Sequence, residues 1–343
     1  DKEEVVVSLE NNQIEIISST SLQSKGIGSA SKEQNLGVYA PDGSIFLTCN
    51  SNGSIDLWSR QGVRIKSANA HTESIVVAKF ASDSRTFVTC SRDNSARLWN
   101  TNGDLLATLN GHRGNVYEVN YSPDNQHILT RSSDGTVMLW EADGKWIGTI
   151  EPKSIYIHSA NFSPDGETVI TCGADANLKL WSLKGELLAP MPGHTSVVKK
   201  TIFSPDQELI ISISLDNTAK LWSKKGQFIA SLDRHQGQLS MACFNPQGSL
   251  IATTGSDGKV MLWDRTGQFI RVLEGHRKAV DYVQFSPDGN QILSTSKDGT
   301  TRLWAADGRA LMEINLNTAN PLPSSFSKDG RNILFFGDAN TTL

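Results

Sequence analysis

The sequence predicts an all-β protein assembled from one four-stranded antiparallel sheet that is repeated around a ring. Seven tryptophans recur at intervals of 41 residues, which indicates an internal repeat. Each interval holds four short segments of strand-like polarity separated by turn residues, and it shows no helical periodicity. One such sheet cannot cover both of its faces alone, whereas radial stacking buries them.

Three columns of residues share this period. The tryptophans are Trp58, Trp99, Trp140, Trp181, Trp222, Trp263 and Trp304, and only Trp146 lies off the ladder. A proline that precedes a turn stands at Pro41, Pro123, Pro164, Pro205, Pro246 and Pro287. A histidine stands at His71, His112, His194, His235 and His276, and Lys153 interrupts that column. The strict spacing excludes insertions between repeats from about residue 36 to about residue 336.

The four strands of one repeat can be assigned within residues 112–150. A first strand carries Val116 and Val119 and ends at the turn of residues 123–125. Residues 127–131 form the second strand, and Ser-Asp-Gly at 133–135 makes a tight turn. Residues 136–140 form the third strand, and a turn at Asp143-Gly144 leads into the fourth strand, which begins at Trp146.

These motifs resemble the WD-repeat β-propeller family, in its highly regular, bacterial-type arrays. The likeness is carried by Gly-His at 111–112, 193–194 and 275–276, and by Phe-Ser-Pro-Asp-Gly at 162–166 and 285–289. It is carried also by Ser-x-Asp-Gly-Thr-x-x-Leu-Trp at 132–140 and 296–304, and it covers nearly the whole chain. Trp263-Asp264 is the only literal Trp-Asp pair. The resemblance implies four-stranded blades and a ring that serves as a binding platform.

The resemblance also implies a hydrogen-bonded set of His, Ser or Thr, Asp and Trp within a blade. Five complete sets match by position: His71, Thr89, Asp93 and Trp99; His112, Thr130, Asp134 and Trp140; His194, Ser212, Asp216 and Trp222; His235, Thr253, Asp257 and Trp263; His276, Ser294, Asp298 and Trp304. A hydrolase triad is the alternative interpretation of such residues. Because an enzyme needs one active site and this chain has five copies, we predict structural tetrads and no enzymatic activity.

Other columns vary where the scaffold does not, and they predict a partner-binding face at the mouth of the channel. One column on the innermost strand includes Tyr117, His158, Lys199 and Asp281, and the next includes Glu118 and Tyr282. The turn beside the structural aspartate contributes Arg92 and Lys297. Aromatic and arginine side chains commonly dominate protein interfaces. Random variation at solvent positions is the alternative.

We therefore predict a non-catalytic interaction scaffold or sensor, part of a larger protein, whose partners are proteins or neighbouring domains. The alternative is a small ligand or modified peptide held at the channel mouth by Tyr117, Tyr156 and Tyr282. The 32 basic and 36 acidic residues give a net charge of −4, which argues against nucleic acid. No apolar run is long enough to span a membrane. No cofactor or metal motif is found, and four cysteines without a Cys-x-x-Cys pair favour a cytoplasmic location.

The number of blades depends on the two ends of the chain, since residues 36–314 hold seven complete units. Residues 325–336 match the first two strands of a further unit, and residues 11–17 match a third strand. We therefore predict one domain over 1–343 that closes as an eight-bladed ring, with seven blades as the alternative. The closing blade is shared between segments at about 1–30 and about 320–343, and in it residues 13–18 pair with residues 331–336.

Overall fold

A computed structural model describes residues 4–8, 13–18, 24–29, 34–154, 156–316, 324–327 and 329–334. The chain divides into two compact units. The N-terminal unit comprises residues 1–153, 160–169 and 182–186, and the C-terminal unit comprises residues 154–159, 170–181 and 187–343. Every helix or strand that the structure describes in these ranges is a β-strand, as the repeat predicts.

Three strands precede the regular repeats and form a sheet in the order β1-β2-β3. They are β1 (Glu4–Ser8), β2 (Gln13–Ser18) and β3 (Ser24–Ser29). The first two four-stranded sheets follow. The first sheet contains β4 (Gln34–Tyr39), β5 (Ile45–Asn50), β6 (Ser54–Ser59) and β7 (Arg64–Asn69). The second sheet contains β8 (Ile75–Phe80), β9 (Thr86–Ser91), β10 (Ala96–Asn100) and β11 (Leu105–Leu109).

The next three sheets repeat the same order of strands. The third sheet contains β12 (Val116–Tyr121), β13 (His127–Ser132), β14 (Val137–Glu141) and β15 (Trp146–Ile150). The fourth contains β16 (Ile157–Phe162), β17 (Thr168–Gly173), β18 (Leu178–Ser182) and β19 (Leu187–Met191). The fifth contains β20 (Val198–Phe203), β21 (Leu209–Ser214), β22 (Ala219–Ser223) and β23 (Phe228–Leu232).

Two further four-stranded sheets and one hairpin complete the described chain. The sixth sheet contains β24 (Leu239–Phe244), β25 (Leu250–Gly255), β26 (Val260–Asp264) and β27 (Phe269–Leu273). The seventh contains β28 (Val280–Phe285), β29 (Gln291–Ser296), β30 (Thr300–Ala305) and β31 (Ala310–Asn315). The hairpin joins β32 (Ser325–Phe326) to β33 (Ile333–Leu334). The described residues thus contain seven four-stranded antiparallel sheets, as the ladder predicts.

Consecutive sheets within each unit are held together by apolar side chains. In the N-terminal unit, Leu57 of the first sheet packs in one core cluster with Phe87 and Trp99 of the second. In the C-terminal unit, Leu221 of the fifth sheet packs with Trp263 of the sixth. This burial of both faces is the hydrophobic stabilisation that a single sheet would lack.

The predicted pairing of residues 13–18 with residues 331–336 is wrong for the part of the chain described. Both edges of β2 are occupied, by β1 and by β3, while Ile333 and Leu334 pair with Phe326 and Ser325. Residues 4–8 take the position beside β2 that the prediction gave to residues 331–336. The short loop between β1 and β2 explains this choice, because closing it costs less chain entropy than pairing residues from opposite ends. Residues 335 and 336 lie outside the described residues.

Candidate functional site

The five predicted tetrads are hydrogen-bonded in the second, third, fifth, sixth and seventh sheets. In the third sheet, His112 Nδ1 lies 3.1 Å from Asp134 Oδ2 and His112 Nε2 lies 2.9 Å from Thr130 Oγ1. Trp140 Nε1 donates to the same hydroxyl at 2.9 Å. Across all five tetrads the His–Asp distances are 2.7–3.1 Å, the His–hydroxyl distances 2.7–2.9 Å and the Trp–hydroxyl distances 2.8–3.0 Å.

The partners of Asp134 determine how the protons are distributed in its tetrad. The carboxylate accepts from the backbone N–H of Arg113 and from the hydroxyl of Thr136, and it is an acceptor only. His112 Nδ1 therefore donates to Asp134, and its Nε2 accepts the proton of the Thr130 hydroxyl. The oxygen of that hydroxyl accepts the Trp140 N–H, and Thr130 is fully buried. A hydroxyl enclosed in this way is unsuited to nucleophilic attack, so the arrangement supports a structural role.

Burial and hydrogen bonding shift the pKa values of these groups. Burial lowers the pKa of His71, His112, His194 and His276, although the paired aspartates act in the opposite direction. Burial disfavours the ionised aspartates as well, but bonds from hydroxyl and backbone donors prevail and lower the pKa of Asp216 and Asp298 to about 2. The tetrads of His71, His112, His194 and His276 therefore hold neutral histidines and charged carboxylates at neutral pH.

Replacing Asp134 by alanine is expected to lower the free energy of unfolding by about 1–3 kcal/mol. The reason is that His112 and the backbone N–H of Arg113 lose a buried acceptor. The matched control is Asp143→Ala in the same sheet, because Asp143 only caps the N–H of Lys145 at an exposed turn. Urea unfolding of both variants measures the difference. Equal stabilities of the two variants would contradict the structural role of the tetrad.

Two sheets lack the histidine and are built differently. In the first sheet Asn52 stands in place of the aspartate, and Trp58 Nε1 still donates to Thr48 Oγ1 at 3.0 Å. In the fourth sheet Lys179 Nζ lies 2.5 Å from Asp175 Oδ2, and Trp181 retains its bond to Thr171. An ammonium on the third strand therefore supplies the partner that an imidazole supplies elsewhere.

The variable column on the innermost strand coincides with a β-bulge. In the third sheet Val116 pairs with Ser132 and Glu118 with Arg131, so that Tyr117 is the extra residue. The register is broken at the equivalent position of five more sheets, the first, second, fifth, sixth and seventh. Lys199 and Asp281 are the extra residues of the fifth and seventh. A bulge residue does not take part in the regular pairing between the strands, so its side chain can point outward.

The N-terminal unit holds three of the predicted contact residues. Arg92 is exposed in the turn after β9, and Tyr117 is half-buried. Glu118 Oε2 accepts from Arg131 Nε at 2.7 Å, and Glu118 Oε1 accepts from the side-chain amide of Asn120 at 3.1 Å. Glu118 is thus held in one orientation inside a polar cluster that no other described sheet repeats.

The sequence interpretation missed Arg131, although a signal was present. Arg131 stands in the column that Cys49, Cys90 and Cys172 occupy in other repeats. Those three cysteines are buried, and an arginine in a column of small buried residues needs a charged partner. The structure supplies that partner through Glu118, which lies in the varying column on the neighbouring strand.

The C-terminal unit holds the other five predicted contact residues. His158, Lys199, Asp281 and Lys297 are exposed, and Tyr282 is half-buried. Lys297 Nζ lies 3.5 Å from Asp281 Oδ2, and the Tyr282 hydroxyl donates to Gln284 Oε1 at 3.1 Å. The ring of His158 makes an edge contact with that of Tyr156, with centroids 4.8 Å apart. No ring contact joins Tyr156 to Tyr282 among the described residues.

Comparison with known families explains the repeat. The WD domain, G-beta repeat family matches six consecutive segments, at residues 62–100, 103–141, 144–182, 185–223, 226–264 and 267–305, which together make up more than half of the chain. The chain belongs to the WD40 family. Each WD40 segment begins in the turn before the fourth strand of one sheet and ends with the third strand of the next sheet along the chain. No curated protein matches the chain significantly.

Family membership indicates the general role of such a chain. WD40 domains generally mediate protein–protein interactions and are typically non-catalytic. No group of three potential metal ligands is found in the part of the chain that the structure describes. The described ranges also contain no helix of the length and apolarity needed to cross a membrane.

Proposed function

We propose that this WD40 protein is a non-catalytic scaffold or sensor whose protein partner, or neighbouring domain, docks on the first-strand face. That face is defined by Arg92, Tyr117, Glu118, His158, Lys199, Asp281, Tyr282 and Lys297. The observation that carries the proposal is the bulge of the innermost strand. At this bulge, different side chains stand on a backbone that is the same from sheet to sheet. The side chains of such a surface can differ from blade to blade without weakening the hydrogen bonds between the strands.

Two side chains of the first-strand face are held in fixed orientations, which supports docking at this face. Glu118 is fixed by Arg131 and Asn120, and Tyr282 is fixed by Gln284. A side chain that is already ordered loses less conformational entropy when a partner binds. Large aromatic side chains held in this way are typical of the residues that contribute most to binding energy.

Replacing Tyr117 and Tyr282 together by alanine is expected to weaken partner binding at least about tenfold, or about 1.4 kcal/mol. The partner is captured from the source lysate, identified and purified, and its affinity is then measured by calorimetry. The melting temperature is expected to change little, because both tyrosines are only half-buried.

The matched control removes two aromatic rings from the outer strands of the same two units. Trp146 and Phe228 are 56% and 53% exposed, and the double variant Trp146→Ala/Phe228→Ala is expected to retain the affinity. If this control loses binding and the tyrosine variant retains it, the partner uses the outer strands and the proposed face is wrong.

Two further features belong to this proposal. The first is the closed ring of eight blades, with seven as the alternative, supported by the repeats that continue in register into both terminal segments. The second is a reducing, cytoplasmic compartment. It is supported by the four cysteines, all of which are free. Burial raises the pKa of Cys90 and Cys243 to about 12, which keeps these thiols unreactive.

A further inference from the structure

Four cations lie at one end of the fifth and seventh sheets, on either side of the sixth, in the C-terminal unit. Lys199 and Lys200 lie at the start of β20, on and beside the bulge, and both are exposed. Arg277 and Lys278 are exposed in the loop that leads from His276 into β28. We call these four residues the basic surface.

The packing of the strands puts the four residues at the same end of the unit. The backbone N–H of Leu215 donates to the carbonyl of Val197, and that of Lys297 donates to Ala279, so in each sheet the loop before the first strand meets the turn after the second. β21 packs against β24, and β24 packs against β28.

The carboxylate of Asp298 accepts the backbone N–H of Arg277, but the side chains of the basic surface form no ion pair within the described chain. None of the four enters an ion pair there, whereas at the opposite end of the fifth sheet Lys224 pairs with Glu208 at 2.6 Å and Asp206 pairs with Arg265 of the sixth sheet at 2.5 Å. The negative charge of Asp281 is balanced by its ion pair with Lys297. Asp233 and Glu274 are also at the basic end, but they follow the outermost strands β23 and β27 and so lie at the outer side of the sheets.

Apolar and aromatic side chains stand among these charges. Met241 and Tyr282 follow the bulges of the sixth and seventh sheets, and both are half-buried. Burial raises the pKa of Tyr282, so its hydroxyl stays protonated and adds no negative charge. A surface that combines unpaired cations with half-buried apolar groups suits a peptide that carries carboxylates between apolar side chains.

We propose that the basic surface binds an acidic peptide segment of the protein partner. The inference rests on the proposed function and specifies the chemistry of the partner. Charge complementarity favours a peptide over nucleic acid, because four cations beside an ion-paired Asp281, in a chain of net charge −4, do not make the broad positive field that a phosphate backbone requires. The carboxylates of the segment pair with Lys199, Lys200, Arg277 and Lys278, and its apolar side chains contact Met241 and Tyr282.

The experiment measures fluorescence anisotropy of a fluorescein-labelled peptide of about twelve residues in which glutamate alternates with leucine and serine. A second peptide carries glutamine in place of every glutamate. We expect the full chain to bind the glutamate peptide at least about tenfold more tightly than the glutamine peptide at low salt. We expect that preference to shrink as the salt rises from about 0.05 M to about 0.3 M, because exposed charges are screened.

Variants of equal charge change locate the site. Lys199→Glu/Lys278→Glu is expected to weaken binding of the glutamate peptide at least about tenfold. Lys225→Glu/Arg309→Glu alters exposed residues at the other end of the same two sheets and is expected to keep the affinity within about twofold. Lys200→Gln/Arg277→Gln, which removes charge without reversing it, gives a second test if the first variant proves unstable on thermal melting.

Four results would overturn the proposal. They are an absence of binding at low salt, equal affinity for the two peptides, equal effects of the two charge-reversal variants, and tighter binding of a single-stranded DNA of the same charge. The last would identify a nucleic-acid surface. If the peptide fails while the tyrosine double variant still weakens the captured partner, the basic surface is wrong and the scaffold proposal stands. If the peptide binds and the tyrosine variant has no effect on the captured partner, the basic surface stands and the tyrosine anchors of the scaffold proposal are wrong.

Discussion

Replacing Trp222 by alanine is expected to lower the free energy of unfolding by about 3–5 kcal/mol. Trp222 is 1% exposed and packs with Ile170, Met191 and Ile210 in the core of the C-terminal unit. Its removal leaves a cavity and also takes the indole N–H from Ser212 Oγ, to which it donates at 2.8 Å. The first effect is the larger, since a single neutral hydrogen bond contributes about 1 kcal/mol.

A second variant and a control separate these contributions. Trp222→Phe keeps most of the volume but loses the N–H, so it is expected to cost less than the alanine variant. Trp146→Ala removes the one tryptophan outside the ladder, which is 56% exposed, and is expected to change stability by no more than about 0.5 kcal/mol. Urea denaturation followed by far-ultraviolet circular dichroism measures all three. A similar cost at Trp146 and Trp222 would show that the ladder tryptophans are not core residues.

Acid is expected to destabilise the protein in two stages because of the tetrads. The pKa of His71, His112, His194 and His276 is lower in the folded state than the ordinary value of 6.5. The unfolded chain therefore binds more protons as the pH falls through about 6.5, and stability is lost in that range. Asp216 and Asp298 have a folded pKa of about 2 against an ordinary 3.8, so their contribution is lost as the pH falls from about 4 to about 2.

The two stages have different expected sizes and can be told apart. Each of the two aspartates is expected to contribute about 1–2 kcal/mol after solvent screening is allowed for. The free energy of unfolding, measured in urea at a series of pH values, gives the whole curve. His112→Gln is expected to reduce the first stage by the share of one histidine among the four and to leave the second. A stability that rises as the pH falls from 7 to 5 would contradict the assignment of neutral, buried histidines.

Much of the fold could be predicted from the sequence because the repeat places the same side chains in the same surroundings seven times. The intervals of 22 residues between His112 and Asp134, 18 between His112 and Thr130, and 10 between Thr130 and Trp140 recur in five sheets and give the same hydrogen bonds in each. These contacts lie within one sheet of adjacent hairpins. Local turn chemistry and alternating polarity place the strands, and the resemblance to the family identifies the side chains that bond between them.

Part of the candidate site depended on contacts that no column of the repeat contains. Glu118 and Arg131 each differ from the residues that stand in the same column of the other repeats, and they lie on neighbouring strands. Neither difference by itself predicts that the two side chains form an ion pair. The replacement of a histidine by Lys179 as the partner of Asp175 likewise uses a residue that the family pattern does not assign. An exposed or half-buried charge takes whichever partner its neighbours offer, and that choice depends on distance in space rather than on spacing in the chain.

The sequence alone determined the all-β class and the 41-residue unit, since both follow from patterns that are local in the chain and repeated, and its resemblance to the family supplied the tetrads. The tertiary structure decided that β2 pairs with β1 instead of residues 331–336, that the varying column sits on bulges, and that four cations of the C-terminal unit stay unpaired in the described chain. Strand partners, bulges and ion pairs are settled by competition between alternatives of similar local energy. Chain entropy, packing and distance between charges decide that competition, and they are properties of the folded molecule.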